Sequence, residues 1–352
     1  MYFLRTKDTN KPEIIQTLMN TTDVLNAELN ISEHLKDNLF LNQFCEHFTE
    51  GELKIPCFPN VALKLRKALQ QDCEIADVVK IVNMDPVISA KLIQVVNSPL
   101  YRAQNPISNC LNAINRLGRK TTCNMVIAFS MKNLIQSKNP LIKKLIHYNW
   151  LQSIMVSSIS YTLARLLKKT DPDDALLAGL LHNIGALPLL AFADNLPEGA
   201  YQAADVNLLL NEIHGQIESI SGQVGSVILE KWDFPDNLKV IPLQSINWFT
   251  NTSEAFTLND IVLLAKYHHF LAAPGHINWF TNTSEASTLN DTELLVKNPN
   301  FLAAPGHIEL PLITAMPAFQ KLHNQPLTSE MSLQILYDAK QQIAETMSFF
   351  SH

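Results

Sequence analysis

The sequence predicts an all-α protein, and three observations predict it. Glycine is scarce, 10 residues in 352, while leucine and alanine are frequent, a composition that favours helices over sheets. Apolar residues recur at helical spacing, and no strand-like alternation persists along the chain. Helix-start signals recur too. Asp85-Pro86 and Asp171-Pro172 each set a capping carboxylate before a proline suited to the first helical position.

Residues 1–50 read as an N-terminal helical extension. One helix opens at Pro12-Glu13 and runs to about Leu29, and Ser32 caps a second that reaches about Phe48. The Pro-punctuated stretch from Lys54 to Pro59 then leads into the main domain, expected over 51–245. Helices follow over Val61–Gln70, Ile75–Asn83 and Val87–Val96, the last stopped by Asn97-Ser98-Pro99. Ser108 is the expected cap of the helix CLNAINRL, and Gly118 its left-handed stop. Thr121 or Thr122 is expected to start the next helix, ending near Ile135. Two helices joined through Gly118 suggest a helix-turn-helix DNA reader, but the second carries only Lys132 as a cation. A buried hairpin is the better reading.

A helix over Trp150–Lys168 precedes the most apolar stretch of the chain, Ala175–Leu190, which is apolar almost all the way round and must be enclosed by other helices. Further helices are expected from Leu208 towards Ile220 and over Val224–Trp232, with Asp233-Phe234-Pro235 as terminator. Ile246–His276 and Ile277–His307 are then adjacent copies of one 31-residue segment, identical at 24 positions. Two copies are too few for a solenoid, so a local tandem duplication is the simpler account. Copy one contains a good amphipathic helix over Leu258–Lys266. Copy two replaces Ile261 and Val262 by Thr292 and Glu293, and His268 by Pro299. Copy one is therefore expected to pack on the domain and copy two to be a more exposed insertion. Residues 308–352 form a C-terminal helical segment, with a closing helix over Thr328–Phe350.

Composition narrows the functional classes. Hydrophobic residues make up 47% and charged residues 17%, which suits a folded domain with a sizeable core. The formal net charge of −6 and the absence of a basic stripe disfavour nucleic acid as a partner. Cysteines at 45, 57, 73, 110 and 123 form no C-x-x-C pair, which points to reduced structural thiols and a cytoplasmic location. The first residues lack a signal-peptide core, and no run of about 18 apolar residues stands out, so no membrane association is expected.

One imidazole, His182, sits inside the apolar stretch and is followed by Asn183. A His-Asp pair there would suggest a metal site, but an amide is a poor substitute for a ligating carboxylate. A neutral histidine satisfied by hydrogen bonds is preferred over a metal ligand. His268 and His269 read as a surface helix end. Asn97 and Ser98, with Tyr101, Arg102 and Arg119, form a candidate patch for a partner or small anion. The structural role, bonding the free carbonyls at a helix end, is preferred for Asn97 and Ser98.

Six stretches carry a resemblance. They are Ile81–Pro86, Lys91–Ser98, Ala113–Gly118, Trp150–Ser153, Ala178–Gly185, and Gly222–Gly225 together with Trp232–Pro235. In this order they resemble the HDOD family, non-catalytic signalling relatives of HD-type metal phosphohydrolases, over about residues 50–245. The resemblance implies a multi-helix HD-like bundle. An active HD-type site would hold a histidine where Gln152 stands, His-Asp where His182-Asn183 stands, and a histidine where Ser221 stands. The family often carries a His pair where Leu243-Gln244-Ser245 lies. Gln152, His182, Asn183 and Ser221 are thus expected to form a vestigial site, with no catalytic residue, metal or cofactor. The resemblance implies a bacterial-type signalling module that binds a partner protein, with a homodimer as one possible assembly. The alternatives are a residual phosphohydrolase and a nucleotide receptor that uses the old cleft.

Overall fold

The structure, a computed structural model, describes residues 44, 47, 58–97, 106–132, 134, 137–194, 220–271, 310–322 and 331–340. Among these, every regular element is helical and no strand occurs. Of the expected helices before residue 50, only Phe44 and His47, both helical, are described; the one from Leu208 as far as residue 219 and the whole second repeat copy lie outside the described residues.

The first five helices are α1 (Asn60–Gln70), α2 (Ile75–Val82), α3 (Pro86–Val96), α4 (Cys110–Leu117) and α5 (Arg119–Lys132). Asp85 caps α3 as expected, its Oδ1 accepting from the amides of Val87 (2.9 Å) and Ile88 (3.1 Å). The cap of α4 is Asn109, not Ser108: its Oδ1 accepts from the Asn112 amide at 2.9 Å. Gly118 has positive φ but is not left-handed helical. At φ 84° and ψ 159° it lies in the mirror-extended region, which glycine alone enters cheaply. That geometry lets α5 begin at once, at Arg119 and not at a threonine. Thr122 sits inside the first turn, its hydroxyl donating to the Gly118 carbonyl at 2.7 Å. α5, the second helix of that hairpin, is mostly buried, with Val126 and Ile127 fully enclosed, while α4 keeps one exposed face. The described cysteines, Cys73, Cys110 and Cys123, are free. Burial pushes the Cys123 thiol up to about 12, with Arg66 opposing, which leaves it inert.

The centre of the fold is α6 (Pro140–Leu167), 28 residues long and starting ten residues before the sequence suggests. It packs along α7 (Pro172–Leu181). Asp171 caps α7 by accepting from the amides of Asp173 (2.9 Å) and Asp174 (3.0 Å). The approach is close because of Gly179: a Cβ there would lie 2.7 Å from the Cα of Ser157 on α6.

The stretch expected as one helix over Ala175–Leu190 is two, α7 and α8 (Ala186–Asp194), joined by a turn over residues 182–185. Packing forces the break. A Cβ on Gly185 would overlap the backbone carbonyl of Ser221 and lie 2.5 Å from the Gly225 amide, so the turn lies flush against the next helix. Taken together, Pro172–Asp194 is apolar and long enough to cross a membrane by length and composition, contrary to the expectation of no such run. Its most apolar window is 83% buried inside the bundle, as the core of a folded domain would be.

Residues 220–231 form helix α9, which contains Gly222 and Gly225 within its length. Arg66 of α1 closes its end, donating to the carbonyls of Trp232 and Asp233 at 2.5 Å each while lying 4.2 Å above the Phe234 ring. A guanidinium thereby satisfies the orphan carbonyls of a helix terminus. Two short helices follow, α10 (Asp236–Lys239) and α11 (Ile241–Gln244), then α12 (Leu258–Leu271). α12 packs against α6 and α7 and is buried from Asn259 to Phe270. Its start is a capping box: Asp260 accepts from the Thr257 amide at 2.7 Å, and the Asp260 amide donates back to the Thr257 hydroxyl at 3.4 Å. The last described elements are a 3₁₀ turn (Ile313–Ala315), α13 (Pro317–Gln320), and helical residues 331–340. Lys321 pins α12 by donating to both oxygens of Asp260, at 3.0 and 3.1 Å.

Candidate functional site

His182 caps the C-terminus of α7, which packs on α6 and α12, and the turn that follows lies against α9 through Gly185. Its Nδ1 donates to the Gly179 carbonyl at 2.7 Å, which leaves the lone pair on Nε2. Burial holds its pKa down at about 3, helped by the positive charge of Lys266 and by His269, so the ring is neutral at pH 7. Asn183 donates its amide to Oδ1 of Asn149 on α6 at 2.6 Å, linking the turn to the long helix. Gln152 lies one turn further along α6 and is buried. Ser221 is buried among the first described residues of α9, its carbonyl against Gly185. The four residues singled out from the sequence thus lie on the elements around His182. The side-chain bonds that His182 and Asn183 make are internal ones.

His268 and His269 are not at a surface helix end. They are 0% and 4% exposed, because α12 has no solvent face here. His268 spans two elements, Nδ1 donating to the Leu264 carbonyl at 2.7 Å and Nε2 lying 3.1 Å from the Ser332 hydroxyl. Burial lowers the pKa of His268 and brings that of His269 down to about 4, the latter with help from Lys266. Nδ1 of His269 has no hydrogen-bond partner among the described residues.

Lys266 is the residue that sequence reasoning missed. It lies one helical turn before His269, is 5% exposed, donates to the Ser245 carbonyl at 2.7 Å, and places Nζ 5.3 Å from the centre of the Trp248 ring. The signal was available: a lone cation inside the apolar run Ile261–Phe270 stands out as His182 does in its own run.

The second candidate patch divides. Asn97 is a structural clasp: its amide donates to the carbonyls of Ile93 (2.9 Å) and Ile107 (2.7 Å), and its Oδ1 accepts from the Ile107 amide at 2.8 Å. It ends α3 and closes the following loop in one residue. Arg119 donates to the Cys73 carbonyl and pairs with Asp72 at 3.0 Å, tying α5 to the α1–α2 corner. Ser98, Tyr101 and Arg102 lie outside the described residues.

The model of the HDOD domain matches residues 55–245, more than half of the chain. The chain belongs to the HDOD domain family. A relative from Treponema pallidum (strain Nichols), named as an uncharacterized protein, is 23% identical over 193 residues, or 52% of this chain and 36% of the relative. The match therefore spans about a third of that protein's length. Three solved structures share the fold. One is an HDOD domain protein of unknown function from Geobacter sulfurreducens, at TM-score 0.54 and 18% identity, covering 85% of this chain and 97% of that one. Another, from Shewanella amazonensis SB2B, is named as a candidate metal-dependent phosphohydrolase. It has TM-score 0.58 and 21% identity and covers 87% and 98% of the two chains. A third, from Marinobacter aquaeolei VT8, is named as a candidate signal transduction protein, with TM-score 0.55, 17% identity and coverage of 97% and 68%.

HDOD domains are HD-related and generally non-catalytic. An HD-type hydrolase holds a divalent metal by several His and carboxylate ligands. Among the described residues no three His, Cys, Asp or Glu side chains converge as ligands. Asn183 and Asn149 are joined as neutral amides, and the Lys266 ammonium acts on both His182 and His269.

Proposed function

We propose that this HDOD protein is a non-catalytic regulatory module that works in the cytoplasm by binding a protein of a signalling cascade. The observation that carries the reading is the state of the interior around His182. His182 donates inward to Gly179, and Asn183 is held by Asn149, so polar groups that would meet a substrate are used to hold helices together. A domain that keeps an HD-like scaffold without its ligand chemistry retains surface and shape as its means of action. The name of the Marinobacter protein, a candidate signal transduction protein, points the same way. The proposed layout is an HDOD domain over 51–245 with copy one of the repeat packed on it, flanked by helical segments at 1–50 and 308–352.

The test is hydrolysis and binding on the same preparation. The full chain, incubated with Mn²⁺, Fe²⁺ or Zn²⁺, is assayed against an activated phosphodiester and against cyclic dinucleotides. The expectation is turnover no faster than the metal alone and no nucleotide-dependent rise in melting temperature. Turnover that disappears in His182→Ala would establish the residual hydrolase. A saturable nucleotide-dependent rise would establish the receptor.

A further inference from the structure

We infer that the seat on α12 that holds Trp248 also accepts Trp279, so that the second repeat copy is a built-in alternative occupant of a place the first copy fills. This goes beyond the proposed function and does not depend on which partner the chain binds. The seat is formed by the last turns of α12. Trp248 packs edge-on against Tyr267 (6.3 Å between ring centres) and Phe270 (5.9 Å), with Nζ of Lys266 5.3 Å from the centre of its ring. Ile246, two residues earlier, fills the space that a side chain on Gly222 would need. The occupant is the stretch Ile246–Ala255, and its ten residues recur unchanged as Ile277–Ala286. All seven differences between the copies fall over 256–269, outside that stretch. The bonds that shape it are internal to it. Asn247 Oδ1 accepts from the Phe249 amide at 2.9 Å, the Thr250 amide donates to the Asn247 carbonyl at 3.1 Å, and Ser253 Oγ accepts from the Ala255 amide at 3.1 Å. Ile277–Ala286 carries the same side chains at the same spacing, and so the same local instructions.

Chain direction suits the exchange. Ile246–Ala255 follows Ser245, which Lys266 holds beside the last turns of α12, and leads to Thr257, which Asp260 holds at the start of α12. It therefore runs back along α12 from end to start. The chain that leaves α12 at Leu271 enters the same track at the same end and in the same direction. Trp279 lies eight residues beyond Leu271, an extended reach of about 26 Å, ample for a seat whose Phe270 wall directly precedes Leu271. The first copy is clasped at both ends, which favours it. The helix itself does not exchange, because Thr292 and Glu293 would stand where Ile261 and Val262 are fully buried. Exchange frees Trp248 beside Phe249, which is already 52% exposed, and so changes the surface of the domain without changing its core.

Three variants of the full chain test the exchange: Trp248→Ala, Trp279→Ala and the two together, each followed by thermal unfolding. Trp279→Ala is expected to melt with the native protein. Trp248→Ala is expected to melt modestly lower, because Trp279 refills the seat. The double variant is expected to lose more than the two single losses added, and losses that simply add overturn the inference. Fluorine NMR of the protein labelled with 5-fluorotryptophan is the second readout, the Trp279 signal being assigned by its absence from Trp279→Ala. In Trp248→Ala that signal is expected to move towards the position that Trp248 holds in the native protein. An unmoved signal overturns the inference. Should Trp248→Ala fail to fold, Trp248→Leu takes its place in both measurements, with the same outcomes deciding.

Discussion

Helices α3 and α12 are both rich in Val, Ile and Leu, yet the fold treats them differently. α3 has one working face. Leu92 and Val96 are fully buried while Val87 is 69% exposed, and none of its polar residues, Ser89, Lys91 and Gln94, is buried. α12 has no free face, so its polar side chains turn to internal partners, although Asn259 Oδ1 and His269 Nδ1 find none among the described residues. Asp260 has Thr257 and Lys321, Lys266 has the Ser245 carbonyl, and His268 has Leu264 and Ser332. The difference teaches that a polar residue on an enclosed helix is a commitment the whole neighbourhood must meet, whereas on a one-faced helix it is free to vary.

The hardest way to break this comparison is to write copy two of the repeat into copy one. Ile261→Thr with Val262→Glu places a hydroxyl and a carboxylate at positions that are both 0% exposed. The expected loss is at least about 3 kcal/mol, measured by denaturant unfolding, while Val87→Glu on α3 is expected to stay within about 0.5 kcal/mol. Equal losses in the two variants would mean that α12 is not enclosed.

Acid sharpens the comparison next. His182, His268 and His269 all have pKa values held below the ordinary 6.5, whereas α3 carries no histidine. The unfolded chain then binds more protons than the folded one below about pH 6.5, so stability falls as pH falls. The loss continues towards about 4 and 3, where His269 and His182 protonate in the folded state and the effect levels off. Hydrogen exchange at pH 4.5 is expected to accelerate first at amides of α7 and α12. Faster opening of α3 would reverse the assignment.

The smallest effect is local. Asp85→Ala removes a cap that accepts two amides and is expected to cost about 1 kcal/mol, most of it read as fraying of the first turn of α3. No change in melting temperature would show that Pro86 alone sets that start.

Sequence alone determined what depends on neighbours along the chain. Asp85-Pro86 and Asp171-Pro172 announced two helix starts, because a capping carboxylate reaches amides only two or three residues away. Ordered motifs from Ile81 to Pro235 announced the family. Gln152, Asn183 and Ser221 carry the expectation, drawn from the resemblance, that an HD-type ligand set is absent, since residue identity can be read without geometry. Only the tertiary structure decided the rest. The apolar run over 175–190 became two helices because Gly185 lies against Ser221 and Gly225, some forty residues later. His268 and His269 left the surface because α12 is enclosed, and periodicity cannot distinguish a helix end in water from one covered by residues 331–340. The Lys266 charge came to act on His182 by the packing of α12 on α7, across more than eighty residues. Charges so distant in sequence acquire a relation only when folding removes the water between them.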